Sequence, residues 1–444
     1  MSNSVSDLPM SELNRSQTEA WPLAARIIAQ WLDRRERVDT LMDPMPKGLS
    51  SSDRARCQHL IYGVVRHYGR IESALGRLIA HPPRFATRAI LYIAGYELIE
   101  AASETPESGK VAKIVHHAVE QAKHLSSVAE SRLVNAVVRK LAPLMATEAP
   151  PKLATSDVLA EYFSHPEWLV KRWLLQLGAE NTRQLLEWNQ SPARAYVRWR
   201  DASTPAPDFL KPTQWENYYE IGAGRWSDVE PLLKAGAVYI QDPSTRLSVE
   251  LLDLQAGETV LDLCAAPGGK SLLMADLMPA GDAPGKIVAL DLPGERIDRL
   301  KENLSKIEAH DVALVQADLL EGVNQIFRDH QLPTQYDAVL LDAPCTNTGV
   351  MRHRVDVKWR LQERDFRKHA QQQLALLHAA IRLVAPGGRL VYSTCSLDAD
   401  ENGRVLKEFF DSRAGGPFEL EKEVQSFPWE SGHDGAGAFL MRRS

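Results

Sequence analysis

The sequence predicts a multidomain protein in which an all-α helical bundle precedes an α/β domain built on a doubly wound parallel sheet. From about residue 20 to residue 145, apolar residues recur at intervals of three and four, which is the spacing of amphipathic helices. From residue 257 onward, short apolar runs alternate with helical patterns, as in βαβ units. A chain of 444 residues is also too long for one ordinary core.

The composition is that of a globular protein, with 44% hydrophobic and 25% charged residues. The sequence has no apolar run long enough to span a membrane, and residues 1–20 lack an apolar signal core. We therefore interpret residues 1–20 as a disordered leader and expect a cytoplasmic protein. Four cysteines, at positions 57, 264, 345 and 395, are too scattered for a disulfide framework or a zinc site. The adjacent His116 and His117 lack suitably spaced partner ligands, so no metal is expected.

The helical bundle is predicted over residues 21–146. In SDRARCQHLIYGVVRHYGRI the apolar residues from Cys57 to Tyr68 form one stripe, so Cys57 is expected to pack in the core. In SRLVNAVVRKL the expected stripe contains Leu133, Ala136, Val137 and Leu141. Residues 21–145 hold 18 Lys and Arg against 12 Asp and Glu, although the whole chain has a net charge of −6. This basic bundle suits a polyanion, but an ordinary solvated helical surface remains an alternative.

The second region, residues 147–240, is predicted to be a linker followed by a small α/β subdomain. The linker is the Pro-rich and Ala-rich run TEAPPKLATSD, residues 147–157. A helix is predicted to follow, with Pro166 near its first turn. The third region, residues 241–444, is the domain with the doubly wound sheet.

Four predicted strands of that sheet carry an aspartate at or near the end. These are Asp262 in VLDLCAAPGGK, Asp291 in VALD, Asp318 in VQAD and Asp342 in VLLD. A carboxylate after the second strand of such a sheet commonly accepts hydrogen bonds from a ribose diol. The run CAAPGGK, residues 264–270, has two glycines that allow a tight turn and the close approach of a ligand. Each aspartate could instead cap a helix, and a glycine turn alone could bind a nicotinamide dinucleotide.

Two cysteines also follow predicted strands and separate these alternatives. Cys345 comes shortly after Asp342, and Cys395 lies in STCS after the run GRLVY. In a parallel sheet both thiols would lie at the ligand-binding edge. A dehydrogenase has no use for two thiols there, whereas an enzyme that attacks an electron-poor ring carbon does, because a thiolate is a strong nucleophile and a good leaving group.

These motifs together resemble the RsmB/Sun family of RNA (cytosine-5)-methyltransferases over essentially all of residues 21–444. The segments that carry the resemblance are VLDLCAAPGGKS, the loop at Asp291, DAPCTNTGV followed by DVKW, and STCSLDADEN. The N-terminal helices resemble the NusB-like RNA-binding domain, most clearly in GVVRHYGRIESAL and LVNAVVRKL. The resemblance implies a Rossmann-like methyltransferase domain that uses S-adenosylmethionine.

The resemblance also implies roles for individual residues. Cys395 would add to C6 of the target cytosine, and Cys345 would assist loss of the C5 proton and release of the adduct. Asp342 would hold the N3/N4 edge of the base, with Lys270 near the reacting ring. The residues implied to bind the cofactor are Cys264, Ala265, Ala266, Pro267, Gly268, Gly269 and Lys270 around the methionine part, Asp291 at the ribose, Asp318 at the adenine, and Asp342.

The implied partner is RNA, namely 16S rRNA or a pre-30S particle, with no membrane partner and a monomeric protein. Two alternatives remain: a tRNA (cytosine-5)-methyltransferase, and a catalytically inactive RNA-binding assembly factor. Three loops depart from the family pattern, and these could alter target choice. They are Thr346-Asn347 in place of Ser-Gly, RHRVD with Val355 in place of Pro, and HDGAGAF with Ala436 and Gly437 in place of aromatic residues.

Overall fold

A computed structural model describes residues 19–103, 109–201 and 203–444. A disordered leader was expected over residues 1–20, and residues 1–18 of it lie outside the described residues. The chain forms two compact units, which are described separately below. Residues up to Ser191 together with Arg354–Arg360 form the first unit, and Pro192–His353 with Leu361–Ser444 form the second. Among the described residues, no helix combines the length and apolar character that crossing a membrane would require.

The first unit is helical throughout its described residues. Its helices are α1 (Ala20–Arg34), α2 (Val38–Met42), α3 (Ser51–Leu78), α4 (Phe85–Ser103), α5 (Lys110–Leu125), α6 (Val128–Met145), α7 (Ser156–Tyr162) and α8 (Glu167–Gln190). Helix α3 begins at a cap in which the Ser50 hydroxyl accepts a hydrogen bond from the amide of Asp53. Its predicted stripe faces the core, and Cys57 is fully buried there. The all-α prediction for this part of the chain is confirmed.

Helix α6 buries a slightly different stripe from the one expected. Val137 and Leu141 are buried as predicted, but Ala136 is exposed and Leu133 is only partly buried. The stripe is completed by Val134 and Val138, because the buried face turns by about one residue relative to the predicted one.

The segment 147–240 is divided between the two units, which differs from the expected single region. Helices α7 and α8 group with the helical unit. The turn between α7 and α8 contacts α3, where the amide of Gly69 donates to the Ser164 hydroxyl at 2.8 Å. The rest forms a small antiparallel sheet in the order β2-β3-β1-β4, with α9 (Trp226–Lys234) packed against it. Its strands are β1 (Tyr196–Trp199), β2 (Leu210–Pro212), β3 (Tyr218–Ile221) and β4 (Val238–Ile240).

A short helix from late in the chain, α14 (Val357–Arg360), is also part of the first unit. The Lys358 ammonium is buried and donates to the carbonyl of Arg66 at 2.9 Å, and the Trp359 indole donates to the carbonyl of Val65 at 2.7 Å. Burial holds the pKa of Lys358 well below its usual value. The chain that follows Cys345 therefore contributes residues to the core of the helical unit.

The second unit is built on a seven-stranded sheet in the order β10-β11-β9-β8-β5-β6-β7. Its strands are β5 (Thr259–Leu263), β6 (Lys286–Asp291), β7 (Asp311–Gln316), β8 (Tyr336–Asp342), β9 (Val384–Thr394), β10 (Phe418–Ser426) and β11 (Ala436–Arg443). Strands β5 to β9 pair in parallel, whereas β11 runs antiparallel to both β9 and β10. The sheet is therefore mixed, with an antiparallel edge that the sequence did not predict.

Helices cover both faces of this sheet, because alternate residues of each strand point to opposite sides. Leu261 and its neighbours pack against α15 (Glu363–Ala380) and α16 (Gly403–Asp411). Val260 and its neighbours pack against α10 (Arg246–Glu250) and α11 (Gly269–Leu277). Helix α12 (Ile297–Leu304) covers β6, α13 (Asn324–Asp329) follows β7, and α17 (Pro428–Ser431) joins β10 to β11. This is the predicted doubly wound arrangement.

Candidate active site

Two thiols meet at the carboxyl edge of the parallel strands. Cys345 follows β8 and Cys395 follows β9, and these two strands are paired neighbours with Asp342 opposite Ser393. The two sulfur atoms are 3.1 Å apart. Cys345 is buried and Cys395 is half-buried. The structure thus brings together the two cysteines that the sequence placed at this edge.

A cavity of about 240 Å³ opens at the same edge, next to β5 and α11. Its lining includes most of the predicted 264–270 loop together with Asp262 and Asp342, and also residues within β4 and just after it. The lining residues are Tyr239, Ile240, Gln241, Asp242, Thr245, Asp262, Cys264, Ala265, Ala266, Pro267, Gly269, Lys270 and Asp342.

The 264–270 loop holds its shape through its backbone. Cys264 has a φ of 61° and Gly268 a φ of 100°, both in the left-handed region that costs least for glycine. A side chain at Gly269 would meet the Tyr239 ring, because a Cβ there would lie 2.6 Å from a ring carbon. The second glycine of CAAPGGK therefore lets α11 begin directly against β4.

Asp291, at the end of β6, supports this loop from the adjacent strand. One carboxylate oxygen accepts a hydrogen bond from the amide of Ala266 at 2.8 Å, and the other accepts from the amide of Leu292 at 2.8 Å. Asp318 lies after β7, the next strand of the sheet, where its carboxylate accepts from the amide of Leu320 at 2.9 Å. Both acids lie along the same edge as the cavity, although neither belongs to its lining as described.

Asp342 is held between a cation and a hydroxyl. The Lys270 ammonium donates to one carboxylate oxygen at 2.6 Å, and the Ser393 hydroxyl donates to the other at 2.9 Å. Burial opposes the charge of Lys270, but the Asp342 carboxylate outweighs this effect and holds the pKa of Lys270 above its usual value. Lys270 is therefore a permanent cation beside the thiols at neutral pH.

The surroundings of Cys345 and Cys264 oppose ionisation of these two thiols. The hydrogen bond with Cys395, together with burial, holds the pKa of Cys345 well above its usual value. Burial and the surrounding acids raise the pKa of Cys264 in the same direction. Both are therefore neutral thiols at neutral pH, and Cys395 is the more exposed member of the closely spaced pair.

A buried carboxylate behind the thiols joins their two loops. Glu401 accepts hydrogen bonds from the Thr346 amide at 2.9 Å, from the Ser396 hydroxyl at 2.5 Å and from the Gln373 amide group at 3.0 Å. The Thr346 hydroxyl also donates to it. Because Thr346 follows Cys345 and Ser396 follows Cys395, this carboxylate fixes the two thiol loops relative to each other.

The sequence reasoning missed several residues of this site. Glu401 and Ser393 lie within six residues of Cys395, but their contacts depend on which strands pair. A cluster of one histidine and two aspartates also borders the cavity, where the His353 imidazole lies 3.6 Å from the Asp434 carboxylate and 3.9 Å from that of Asp242. These three side chains come from distant parts of the chain, and no spacing in the sequence pointed to them.

Two family models match the chain. Residues 249–429 match the model described as 16S rRNA methyltransferase RsmB/F, and residues 18–143 match the NusB family. The first match contains both thiol loops, the 264–270 loop and all four aspartates at the strand ends. The second match covers most of the helices of the first unit.

Curated relatives are similar to nearly the whole chain. The protein named Ribosomal RNA small subunit methyltransferase B from Yersinia enterocolitica is 29% identical over 401 residues, which cover 87% of this chain and 89% of that protein. The protein of the same name from Cronobacter sakazakii is 29% identical over 425 residues, with the same coverage of 87% and 89%.

Two solved structures share the fold. PH0851 superposes with a TM-score of 0.71 at 22% identity and covers 97% of this chain and 99% of its own. NSun6 from Pyrococcus horikoshii, solved with SFG, superposes with a TM-score of 0.52 at 18% identity and covers 63% of this chain and 98% of its own.

Proposed function

We propose that this chain methylates C5 of a cytosine in small-subunit ribosomal RNA, because residues 249–429 match the RsmB/F methyltransferase model and residues 18–143 match the NusB family. It is an S-adenosylmethionine-dependent RNA methyltransferase. The choice of C5 and the route through a covalent adduct are proposed from the thiol pair at the edge of the sheet. The ribosomal target is proposed from the names of the curated relatives and from the NusB domain.

The residues around the cavity suit S-adenosylmethionine, a cation that carries both an ammonium and a sulfonium group. Asp262 lies in the cavity wall, and its Oδ1 has no hydrogen-bond partner among the described residues, so a cationic ligand would find an acceptor there. The 264–270 loop would hold the methionine part. Asp291 and Asp318, on the next two strands, would hold the ribose and the adenine. When bound, the cofactor supplies an electrophilic methyl group.

Cys395 is proposed as the nucleophile. An unactivated pyrimidine C5 is a poor nucleophile, so a route through addition at C6 is chemically favourable. The Cys395 thiolate would form a bond to C6, and the ring electrons would move to C5, which becomes able to accept a methyl group. Cys345 is the more buried thiol and has the raised pKa, so it is less suited to attack. Lys270 interacts electrostatically with Cys395 and would stabilise its thiolate.

Cys345 is proposed to act when the adduct is resolved. After methyl transfer, C5 carries both the methyl group and a proton, and that proton must leave. Loss of the proton returns electrons to the ring, and the bond between C6 and the Cys395 sulfur breaks. Once the Cys395 sulfur is bonded to C6, it no longer forms the hydrogen bond that raises the pKa of Cys345. Cys345, 3.1 Å from that sulfur in the free protein, would then ionise and take up the C5 proton.

Asp342 and Lys270 are proposed to hold the base. Asp342 would face the N3/N4 edge of the cytosine and, in its carboxylic acid form, donate its proton to N3 as the thiolate adds. Its two supporting hydrogen bonds, from Lys270 and Ser393, fix its orientation. The target base must leave any helical stack to reach this edge, so the expected substrate is unpaired or flipped RNA.

Methylation of defined RNAs tests this function. Purified protein, S-adenosylmethionine and either 16S rRNA, a pre-30S particle or tRNA are incubated, and 5-methylcytosine is located by bisulfite sequencing. We expect one modified cytosine in the small-subunit RNA. Modification of tRNA alone would show that the protein is a tRNA (cytosine-5)-methyltransferase. If the protein binds both RNA and cofactor but methylates no RNA, it is the inactive assembly factor.

The matching variant is Cys395→Ala. It should abolish methyl transfer while calorimetric binding of S-adenosylmethionine changes by less than about threefold, because the thiol is not part of the cavity lining as described. Cys57→Ala, in the core of the helical unit, is the control for removal of a thiol outside the site. An active Cys395→Ala protein would refute the role assigned to this thiol.

A further inference from the structure

Asn347 adopts a backbone conformation that brings its side chain back over the thiol loops. Its φ is 61° and its ψ is 30°, in the left-handed region that asparagine tolerates better than most residues. It lies two residues after Cys345, immediately before the 3-10 turn Thr348–Val350. The amide of Gly349, within that turn, donates to the carbonyl of Cys395 at 2.9 Å, so the loop after β8 is tied to the loop after β9.

The side-chain amide of Asn347 contacts both cysteines. Its Nδ2 donates to the backbone carbonyl of Cys345 at 2.8 Å, and its Oδ1 accepts from the Cys395 thiol at 3.2 Å. A backbone carbonyl can only accept, so the nitrogen of the amide must face Cys345. The oxygen must therefore face the sulfur of Cys395. The flipped amide is excluded because it would place Oδ1 against the Cys345 carbonyl oxygen, and two acceptors cannot form a hydrogen bond.

We propose that Asn347 is a positioning residue that holds the Cys395 thiol by accepting its proton in a hydrogen bond. This inference rests on the proposed role of Cys395 as the nucleophile. An amide oxygen is an acceptor only, so it favours the S–H form and cannot bond to a thiolate. The hydrogen bond fixes the sulfur next to Cys345 in the resting enzyme. It is released when the sulfur ionises and becomes free to form a bond to the ring.

Other groups near the sulfur must be held constant in any test of this contact. The thiol of Cys345 lies 3.1 Å away, on the loop after β8. The ammonium of Lys270, on α11, interacts electrostatically with Cys395 and is paired with Asp342. Substitutions at position 347 leave all three of these residues in place, so a change in the behaviour of the thiol reports on the amide itself.

Two substitutions should change the thiol in opposite directions. Asn347→Gly keeps the left-handed backbone without strain and removes the acceptor, so ionisation of Cys395 becomes easier. Asn347→Asp places a negative charge next to the sulfur, so ionisation becomes harder. We expect the pH midpoint for alkylation of Cys395 by iodoacetamide to fall by about half a unit in the first variant and to rise by about one unit in the second.

The midpoint is measured by mass spectrometry on the full-length protein. Trypsin releases Cys395 in the peptide of residues 390–404 and Cys345 in a separate peptide, so the two thiols are scored independently. Asn217→Gly is the matched control, because Asn217 also has a positive φ, of 62°, but lies in the turn just before β3 of the small sheet. Its midpoint should equal that of the wild type.

A second readout is the rate of methyl transfer. Without the amide the sulfur is less well positioned, so kcat in Asn347→Gly should fall on the order of tenfold while the KM for RNA changes less than twofold. Equal alkylation midpoints in the wild type and in both position-347 variants would overturn the inference. If the midpoints shift as expected but the wild-type protein methylates no RNA, the contact is established and the proposed function fails.

Discussion

The sulfur atoms of Cys345 and Cys395 lie 3.1 Å apart, although fifty residues of sequence separate them. Their proximity follows from the pairing of β8 with β9, which places the two strand ends side by side. Lys270 and Asp342 complete the same edge with a cation and an anion 2.6 Å apart. The site therefore combines two adjacent thiols and a charged pair at one edge of the sheet.

Removal of the Lys270 ammonium should impair catalysis strongly. In Lys270→Met the Asp342 carboxylate loses its ionic partner and the Cys395 thiolate loses a stabilising charge. We expect kcat to fall at least about a hundredfold. Ser393→Ala removes only the neutral hydrogen bond to Asp342 and should lower kcat by about tenfold or less. Equal losses in both variants, measured in the same methyl-transfer assay, would contradict the importance of the charge.

Asp262 should make the stability of the second unit depend on pH. Burial raises its pKa from 3.8 to about 7. As pH rises from 4 to 7, the unfolded chain releases this proton before the folded chain does, so the free energy of unfolding falls. Above pH 7 the folded protein bears the full cost of a buried, ionised Asp262 carboxylate. Asn does not titrate and can still accept the hydrogen bond from the Ser271 hydroxyl.

Asp262→Asn should therefore gain stability relative to the wild type by roughly 4 kcal/mol between pH 4 and pH 8. Denaturant unfolding of the second unit at several pH values measures this gain. Asp208→Asn, at an exposed position, is the control and should show no such trend. A pH-independent difference between Asp262→Asn and the wild type would mean that Asp262 is ionised throughout.

Glu401 should tolerate glutamine much better than alanine. One carboxylate oxygen accepts from the Thr346 amide and from Gln373, which cannot reverse their hydrogen bonds. The other oxygen accepts from two hydroxyl groups, of Thr346 and Ser396, which can rotate and accept from a new amide. Glutamine thus satisfies the network, whereas alanine leaves buried donors without acceptors.

We expect Glu401→Gln to cost about 1 kcal/mol or less and Glu401→Ala about 3 kcal/mol or more. Thermal unfolding measures both. Because the two thiol loops lose their common anchor, Glu401→Ala should also lower methyl transfer more than Glu401→Gln does. Similar stabilities for the two variants would show that the network contributes little.

The basic residues of α6 should contribute to RNA affinity. Arg132, Arg139 and Lys140 are exposed on this helix. If each neutralises one phosphate of single-stranded RNA, replacing all three with glutamate should make the negative slope of log affinity against log salt concentration less steep by about two. Filter binding at several salt concentrations measures the slope. An unchanged slope would favour the solvated helical surface that the sequence also allowed.

Much of the catalytic edge could be predicted from the sequence because parallel strands place their carboxyl ends together. Cys345, Cys395, Asp342, Lys270 and the 264–270 loop are all local to strand ends, and they meet as expected. The resemblance read from these motifs is confirmed by the family models. The roles assigned to the individual residues remain predictions.

Other features depend on tertiary contacts that leave no local pattern. The segment DVKW was recognised as a motif, but nothing in it predicted that Lys358 and Trp359 would bond to backbone carbonyls of α3. The antiparallel strand β11, which lies between β9 and the edge strand β10, was missed because its run, GAGAFLM, has no strict alternation. The contact of Asn347 with Cys395 depends on a left-handed turn, which a single asparagine does not specify.

Trapping the covalent adduct tests the proposed attack of Cys395 on the cytosine ring. Cys345→Ala protein is incubated with S-adenosylmethionine and the target RNA, resolved on a denaturing gel and digested for mass spectrometry. We expect a stable protein–RNA species in which a methylated cytosine is attached to the peptide of residues 390–404, through Cys395. Methylation of the RNA with no trapped species, or a nucleotide attached to another residue, would contradict it.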